Sequence, residues 1–478
     1  MSQQIFDSQR GAVIDFEPLR PGQVGLYVCG PTVQSAPHIG HLRSALAYDQ
    51  IRRWFSYEGF DVTLVRNVTD IDDKILDNAA AAQAAGGTEQ WWALAYRVER
   101  DFNAAYDALG ILAPTYEPRA TANIGPMIEI IETLIERGHA YVALDGSGSV
   151  YFDTGSWPRY GELTHQQRGD MENATDSEPV GKRDPRDFAL WKAYREHEPI
   201  TASWPSPWGR GRPGWHIECS AMSTSYLGDT FDIHGGGLDL RFPHHENELA
   251  QSAAAGHGFA RHWIHNGLVN TSGQKMSKSL GNSVFAQDLL GQARPIVLRY
   301  FLGSAHYRSV LDFHESALDE AEAAFSRIEG FLDRAERELG AEALTAGTVP
   351  EEFRHAMLND FAIPQALAAV HTSVRTGNSQ LDGGDRAGAN ASLTGLVAML
   401  EVLGLNPRDA QWATQSAPGE TGAVQALDAL VGELIAERQR ARENKDFAVS
   451  DLIRDRLSAA GITIEDTPHG THWSLHVE

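Results

Sequence analysis

The alternation of apolar and polar positions predicts a parallel α/β sheet at the start of the chain. Residues 24–29 form a short apolar run typical of a buried strand, and residues 61–68 predict a second strand. Between them, the apolar positions of 41–57 recur at helical spacing. Thr69 or Asp70 is expected to cap the next helix. The order strand, helix, strand, helix is the usual opening of a parallel α/β sheet.

The pattern changes over residues 116–213, which we interpret as an insertion within the α/β domain. This segment contains a helical pattern near 121–137, a strand-like piece at 149–153 and a polar stretch rich in glycine and proline. The α/β pattern resumes at Phe231. A helix is expected to open at Pro243, since proline is well placed in a first helical turn.

Amphipathic helices dominate the last third of the chain. They are predicted at 315–340, 350–375, 387–403 and 424–443, and the tail from 446 predicts a helix followed by short strands. The predicted fold class is therefore α/β: a Rossmann-type parallel-sheet domain with an insertion, followed by a helical bundle and a small C-terminal α/β domain.

Composition limits the class of protein without naming a function. The chain has 478 residues, which predicts two or more domains, and its formal net charge of −24 disfavours coating of nucleic acid through bulk positive potential. There is no apolar run of membrane-spanning length and no signal-like start, so we expect a cytoplasmic protein without membrane contact. The two cysteines, Cys29 and Cys219, are too few for a disulfide scaffold and by themselves are typical of buried apolar positions.

The segment Pro37-His38-Ile39-Gly40-His41 lies between the end of the first predicted strand and the start of the helix that follows it. Open α/β sheets bind ligands at this place, and the start of a helix favours phosphate groups. His38 and His41 can hydrogen-bond an α-phosphate and the leaving pyrophosphate, while Gly40 lets adenine approach. Two surface histidines in a loop are the alternative interpretation.

A second cluster, Gln274-Lys275-Met276-Ser277-Lys278-Ser279, carries two lysines three residues apart. Lys275 and Lys278 can neutralise charge that develops on a triphosphate as pyrophosphate leaves. A solvated basic loop is the alternative. Together, in this order, the two clusters resemble the HIGH and KMSKS motifs of class I aminoacyl-tRNA synthetases.

Local sequence narrows the resemblance to the cysteinyl-tRNA synthetases. The similarity extends over the whole chain, from the first strand to Trp473. The stretches that carry it are Tyr27-Val-Cys29-Gly-Pro-Thr-Val33, Asn67-Val-Thr-Asp-Ile-Asp-Asp-Lys-Ile75, Gly214-Trp-His-Ile-Glu-Cys219-Ser-Ala-Met222, Phe231-Asp-Ile-His-Gly-Gly-Gly237 and Phe242-Pro-His-His-Glu-Asn-Glu248. One departure is the loop Gln34-Ser35-Ala36-Pro37, where many members carry an aromatic or acidic pair.

The resemblance implies one Zn²⁺ per chain, held by Cys29, Cys219, His244 and Glu248. His244 and Glu248 are i and i+4, so one helical face can present both side chains. Thiolate, imidazole and carboxylate are normal zinc donors. His245 with Glu248, at i and i+3, is the rival pair. Zinc would select the cysteine thiolate over the serine hydroxyl, with a selectivity of ~10⁴ that otherwise calls for an editing site.

The resemblance also implies roles for other residues. Thr32 and Thr69 would line the amino-acid pocket, Trp215 would close over the substrate side chain, and His234 would sit near the zinc. Gly236, Gly237 and Asp239 would contact the adenosine half of ATP, and His38, Gly40, His41 and Lys278 would complete the ATP-binding residues. Buried structural roles for Trp215 and His234 stay open, and Asp70, Asp72 and Asp73 are expected to be helix-start charges rather than magnesium ligands.

The implied activity is that of a cysteine–tRNA ligase, which uses ATP with Mg²⁺, L-cysteine and tRNA(Cys), and we expect a monomer. The C-terminal third would recognise the tRNA, with Arg438 to Lys445 and Trp473 as candidates; a charged helix face and a small-core anchor are the alternatives. The expected divisions are 1–115 and 214–270 for the two halves of the catalytic domain, 116–213 for the connective insertion, 271–314 for the KMSKS loop and stem-contact region, 315–420 for the helical bundle and 421–478 for the anticodon-binding domain.

Two rival functions remain at this level. The cysteine:amino-sugar ligase of mycothiol synthesis resembles the same core, but it usually has a reduced C-terminal region. A cysteine or zinc sensor on a synthetase scaffold would need neither motif. The tail from Asn444 to Trp473 disfavours the first rival, and the intact motifs disfavour the second.

Overall fold

The fold is described from a computed structural model of the 478-residue chain. It divides into two compact units, residues 1–407 and residues 408–478. The described residues are 2–174, 180–271, 273–275, 283–413, 420–444, 446–467 and 470–475.

The strands, in chain order, are short in the first unit and form a hairpin in the second. They are β1 Gln4–Asp7, β2 Ala12–Asp15, β3 Gln23–Val28, β4 Asp61–Arg66, β5 Ala140–Val142, β6 Val150–Phe152, β7 Phe188–Ala193, β8 Gly211–Pro213, β9 Thr230–Gly237, β10 Phe259–Asn266, β11 Val269–Thr271, β12 Gln274–Lys275, β13 Leu311–Phe313, β14 Ile462–Thr467 and β15 Gly470–Leu475.

Helices make up most of the remainder. They are α1 Ile39–Tyr57, α2 Asp73–Ala84, α3 Trp91–Ala108, α4 Ile124–Glu136, α5 Trp215–Leu227, α6 Glu246–Ala255, α7 Ala286–Gln292, α8 Pro295–Ser304, α9 Ala317–Leu339, α10 Glu351–Leu358, α11 Ile363–Asp382, α12 Arg386–Leu403, α13 Ala410–Ala413, α14 Glu420–Glu443 and α15 Phe447–Ala459.

The central sheet has the strand order β10-β9-β3-β4, and every neighbouring pair is parallel. Strand β3 pairs with β9 through Leu26 opposite Ile233, so sequence on either side of the insertion meets in one sheet. The inner strands are buried on both faces, which explains why they are apolar runs rather than alternating ones. All four strands end at the same edge, where open α/β sheets bind ligands.

The insertion forms its own antiparallel sheet in the order β5-β6-β7-β8. It is attached to the central domain beside α6: the carboxylate of Glu246 accepts hydrogen bonds from the backbone of Gly161 and from Thr164, at 2.8 and 2.9 Å. The hydroxyl of Tyr160 donates to Asn247 at 2.5 Å. These contacts fix the start of α6 from outside the sheet.

Helix α1 links the sheet to the helices that follow it. Its side chains Leu46, Trp54 and Phe55 are fully buried, and it packs against α8 and α12 as well as β4. Helices α9 to α12 form a bundle through pairwise packing of their apolar faces. The predicted α/β fold class, with an insertion and a following helical bundle, is confirmed.

The second unit has a small core of its own. Val431 of α14, Ile453 and Leu457 of α15, and Ile462 of β14 are buried together, and Trp473 packs against them. The contact of Trp473 with this core supports the anchoring alternative for that side chain. Strands β14 and β15 form an antiparallel hairpin in the tail.

Two local predictions were wrong, the cap of α2 and the single helix at 350–375. The cap of α2 is Asp72, whose carboxylate accepts the backbone N–H of Lys74, whereas Asp70 instead accepts two hydrogen bonds from Thr121. Within Arg241–His245 only Phe242 departs from helical dihedral angles, so the chain enters a helix at Pro243, as predicted, and the regular helix α6 continues from Glu246.

The predicted helix at 350–375 is two helices, α10 and α11. The break falls at Asp360 and Phe361, which both adopt positive φ and so interrupt the helical path. Asp360 accepts hydrogen bonds from Phe6 and Tyr307, at 2.7 Å each, and these long-range contacts stabilise the break. Sequence spacing carries no trace of such contacts.

Candidate active site and metal centre

A cavity of about 450 Å³ opens at the carboxyl edge of the central sheet. Its walls include the last residue of each strand, namely Val28 of β3, Arg66 of β4, Gly237 of β9 and Asn266 of β10, and also Cys29, which directly follows β3. The cavity is therefore built where the parallel strands stop and their backbone groups are no longer paired within the sheet.

The two histidines of the first motif cap α1. His38 is the N-cap residue, and its Nδ1 accepts the backbone N–H of Gly40 at 3.2 Å; Nδ1 of His41 accepts the backbone N–H of His38 at 3.1 Å. The rings stack with centroids 3.7 Å apart. Because each Nδ1 is an acceptor, each neutral ring carries its proton on Nε2. Both histidines and Gly40 line the cavity.

The described residues on either side of 276–282, the larger part of the second motif, lie beside the same cavity. The first lysine of this motif, Lys275, belongs to β12, which pairs with β11, and Val269 of β11 lines the cavity. On the other side, the backbone N–H groups of Ile39 and Ala286 form 2.9 Å hydrogen bonds with Val284 and Pro37. Lys278 and the residues around it lie outside the described part of the chain.

Cys29, Cys219, His244 and Glu248 converge at the floor of the cavity, and their ligand atoms all lie within 4.8 Å of one another. Sγ of Cys29 is 3.6 Å from Sγ of Cys219 and 3.4 Å from Oε1 of Glu248. Nε2 of His244 is 3.6 Å from Sγ of Cys219 and 3.0 Å from the same carboxylate oxygen. Cys29 lines the cavity, and the other three side chains are buried.

These four distances fit one tetrahedral zinc ion. Zinc–sulfur bonds of ~2.3 Å and zinc–nitrogen or zinc–oxygen bonds of ~2.0–2.1 Å place tetrahedral ligands about 3.8 Å apart for two sulfurs, about 3.6 Å for sulfur with nitrogen or oxygen, and about 3.3 Å for nitrogen with oxygen. Burial, with Cys219 and Glu248 nearby, raises the pKa of the Cys29 thiol well above its usual value. Burial lowers the pKa of His244 to about 3, although Glu248 acts in the opposite direction. A divalent cation bound here would offset the negative charge of two thiolates and a carboxylate that lie so close together.

Neighbouring side chains orient the ligands. Trp215 stacks on His244 with ring centroids 4.0 Å apart, and Nδ1 of His216 lies 2.9 Å from Nδ1 of the same ring. Nε2 of His234 lies 2.8 Å from Oε2 of Glu248, the oxygen that points away from the thiols. Such contacts fix the orientation of metal ligands.

The rival histidine, His245, is also close to the cluster. It completes a second possible set of donors with Cys29, His234 and Glu248. However, its Nδ1 lies 2.8 Å from Nε2 of His265, and the hydrogen-bond distances to Glu248 and Cys219 belong to His244. The geometry therefore favours His244.

The remaining predicted residues fall into two groups. Thr32, Trp215, Gly237 and Asp239 line the cavity directly. Thr69 is buried beside the cavity, where its backbone pairs with the loop that carries Thr32. His234 is buried behind Cys29, Cys219, His244 and Glu248, which we call the candidate metal cluster.

Sequence reasoning assigned no role to His216, Glu218 or Asn67. Helical spacing offered one signal for His216, because it precedes Cys219 by three residues and so shares its face of α5. Oδ1 of Asn67 accepts the backbone N–H of Gly30 at 2.8 Å and lies 3.6 Å from Sγ of Cys219. No spacing rule connects Asn67 to these residues, because Asn67 follows β4 and meets Cys219 of α5 only through the fold.

The fold and the cavity define a class of protein. Residues 15–323 match the family model described as tRNA synthetases class I (C) catalytic domain, residues 352–406 match the DALR domain, and residues 424–473 match the cysteinyl-tRNA ligase anticodon binding domain. The chain is thus an enzyme of the class I aminoacyl-tRNA synthetases.

Relatives specify the family within this class. The chain is 64% identical over 487 residues to the cysteine–tRNA ligase of Clavibacter sepedonicus, with 100% of both chains covered. It is 63% identical to that of Leifsonia xyli subsp. xyli, with 99% of this chain and 100% of the relative covered. The chain belongs to the cysteine–tRNA ligase family.

A solved structure shares the fold. The methionyl-tRNA synthetase of Mycobacterium tuberculosis, in complex with methionyl-adenylate, matches with a TM-score of 0.58 at 15% identity and covers 84% of this chain and 93% of its own. At this identity the likeness shows the fold alone. Among the described residues, no helix has the length and apolar character needed to cross a membrane.

Proposed function

We propose that this chain activates L-cysteine with ATP and transfers it to tRNA(Cys), and that a zinc ion at Cys29, Cys219, His244 and Glu248 selects the substrate. The observation that carries this proposal is the convergence of two thiols, an imidazole and a carboxylate at the floor of a cavity beside the N-terminus of α1. The donor set and its distances fit zinc, which when bound would hold the substrate as its thiolate and so reject serine.

Residues of the chain position the two reactants for the first step. The carboxylate of cysteine attacks the α-phosphorus of ATP, and pyrophosphate leaves with its Mg²⁺. Nε2–H of His38 and of His41 donates to phosphate oxygens, because each Nδ1 is already occupied as an acceptor. Lys275 and Lys278 neutralise the charge on the leaving group. Positioning and electrostatics, rather than a covalent enzyme intermediate, lower the barrier.

Other cavity residues contact the rest of the substrates. Gly40, Gly237 and Asp239 receive the adenosine half of ATP. Thr32 and Trp215 line the amino-acid side of the cavity, next to Cys29. In the second step, the terminal adenosine hydroxyl of tRNA attacks the carbonyl of the adenylate and AMP leaves.

Three measurements on the purified full chain test the proposal. Elemental analysis should find about one zinc per chain. ATP–pyrophosphate exchange should depend on L-cysteine and be poorer with L-serine by a factor of ~10⁴. Charging of tRNA(Cys) should follow. Cysteine-dependent exchange without charging would contradict the transfer step, and equal exchange with serine would contradict the role of the metal.

The two rival functions have less support. Residues 424–473 match an anticodon binding domain, and neither a cysteine:amino-sugar ligase nor a sensor would need such a domain. Within the proposal, segment 421–478 binds the anticodon, the other divisions stay as predicted from sequence, and the enzyme acts as a cytoplasmic monomer. Sedimentation equilibrium tests the last point.

A further inference from the structure

Glu218 is a buried carboxylate with few partners. It lies on α5 beside Cys219 and is 1% exposed. Its hydrogen bond within the described chain comes from Thr69, whose Oγ1 donates to Oε2 at 2.7 Å. No arginine, lysine or histidine of the described residues lies within ion-pair distance of it. Burial of a carboxylate with so little compensation is costly.

Other buried acids of the first unit are better satisfied. Asp49 meets two arginines, and Glu99 accepts two hydrogen bonds from one. Glu246 accepts three hydrogen bonds from the insertion. These acids have complete structural roles within the protein, whereas Glu218 does not. An incompletely satisfied carboxylate beside a substrate cavity indicates a ligand that brings the missing positive charge.

The charges around Glu218 do not supply that positive charge. Burial, with the negative Asp72 and Asp70 nearby, raises the pKa of Glu218 well above its usual value, although the hydrogen bond from Thr69 acts in the opposite direction. Lys192 also acts in the opposite direction, but its ammonium is bound to Asp73 at 2.7 Å. A cationic ligand beside Glu218 would stabilise its charged form.

Thr69 connects Glu218 to the amino-acid side of the cavity. A hydroxyl group has one proton and two lone pairs. The proton of Thr69 is donated to Glu218, and one lone pair accepts Nδ2 of Asn67 at 3.3 Å. The second lone pair is left for a further donor, and the donation to Glu218 prevents the hydroxyl from acting as a donor itself. Thr69 adjoins Thr32, which lines the cavity.

We propose that Glu218, acting through the hydroxyl of Thr69, is a specificity residue that recognises the α-ammonium group of the cysteine substrate. This inference rests on the proposed function, in which the substrate thiol lies at the candidate metal cluster beside Cys219. In cysteine only two carbons separate nitrogen from sulfur. When the thiol lies at the candidate metal cluster, the ammonium group therefore lies close to Glu218 and Thr69. An ammonium group is a donor with three protons and matches an acceptor backed by a carboxylate.

A pair of ligands tests the inference. L-Cysteine and 3-mercaptopropionate share the thiol and the carboxylate, but only cysteine has the ammonium group. In the zinc-loaded full chain, Glu218→Gln should weaken cysteine binding about tenfold to a hundredfold and leave the dissociation constant of 3-mercaptopropionate unchanged. The KM for ATP and the zinc content should also stay unchanged. Calorimetry gives both dissociation constants.

Two further variants separate recognition from folding. Thr69→Val should cause a similar selective loss, and the double variant should lose no more than the larger single effect, because the two residues act in series. Glu99→Gln, a buried acid away from the cavity, should bind both ligands as the wild type does. If Glu218→Gln weakened the binding of both ligands equally, or lost zinc, Glu218 would have a merely structural role and the inference would be overturned. Wild-type exchange activity with cysteine tests the proposed function separately.

Discussion

At the residue scale, the candidate metal cluster depends on side chains that the sequence places far apart. Cys29 ends β3, Cys219 lies on α5, and His244 and Glu248 come from the turn and helix that follow β9. The turn at Arg241–His245 and the bonds of Glu246 to the insertion set the direction of the last two ligands. The ligands therefore have little freedom to rearrange when one of them is replaced.

Replacement of Cys219 by serine should remove the metal and cysteine activation together. A hydroxyl is a harder and weaker ligand than a thiolate, so metal affinity should fall by more than the roughly 10–100-fold that neighbouring residues contribute. Zinc content and cysteine-dependent pyrophosphate exchange measure the two effects. Ser223→Ala, a buried change one turn further along α5, is the control and should retain both. Full activity of Cys219→Ser without metal would refute the selection argument.

At the element scale, buried ion pairs hold the helices of the first unit to the sheet domain. Arg299 of α8 contacts Oδ2 of Asp49 of α1 at 2.5 Å, and its remaining donors bind the backbone oxygens of Leu109, Gly110 and Leu403. One guanidinium thus connects the ends of α3 and α12 to α1. Surface pairs such as that of Arg294 connect neighbouring helices without burial.

Arg299→Met should destabilise the first unit by about 3–5 kcal/mol, since it removes one of the two arginines that neutralise the buried Asp49 carboxylate. It also removes buried hydrogen-bond donors to the backbone oxygens of Leu109, Gly110 and Leu403. Arg294→Met is the matched control: it removes an exposed pair with Glu322 and Glu329 and should cost about 1 kcal/mol or less. Urea unfolding followed by circular dichroism measures both. Equal effects of the two changes would contradict the structural role of Arg299.

The ion pairs of Asp73 at the start of α2 predict that the stability of the protein depends on pH. Burial acts to raise the pKa of Asp73, but Lys192 and Arg212 lower it to about 2. Because the folded pKa lies below the usual value of 3.8, the contribution of Asp73 to stability is complete above about pH 4 and is lost as the pH falls towards 2. The difference in melting temperature between wild type and Asp73→Asn should therefore shrink over this range. A constant difference would refute the pairing.

At the scale of the whole molecule, the chain divides into a unit that contains the entire cavity and a unit with a separate core. Each residue that lines the cavity or belongs to the candidate metal cluster precedes Pro407. The second unit contains the match to the anticodon binding domain. Chemistry on the amino acid and recognition of the tRNA are thus predicted to be separable.

A chain that ends at Pro407 should retain cysteine-dependent pyrophosphate exchange within a few-fold and lose most tRNA charging, because every residue proposed for activation precedes Pro407. Thermal melting of the shortened chain checks that it folds. Normal charging by the shortened chain would show that the second unit is dispensable for recognition.

Much of the fold and of the candidate site was predictable from the sequence. The apolar runs of β3 and β4 and the helical spacing of α1 are local signals that the tertiary structure did not override. Strand β6 was predicted as the strand-like piece at 149–153, but β5, β7, β8 and the helices α3 and α8 were not predicted. The buried positions Trp91, Leu94 and Val98 of α3 recur at helical spacing, so this helix had a local signal that was missed. Asp72 was overlooked as a cap because three acidic residues compete at that point, and only Thr121 decides what Asp70 binds.

The sequence by itself determined the class of protein, because the motif residues and their order along the chain can be identified without knowledge of the fold. It named the residues of the metal set, but through family resemblance rather than through spacing. The tertiary structure decided that Cys29 and Cys219 meet at 3.6 Å, that His244 rather than His245 faces the thiols, and that Glu218 is buried against Thr69. These facts depend on strand order and helix packing, which bring together atoms that are distant along the chain.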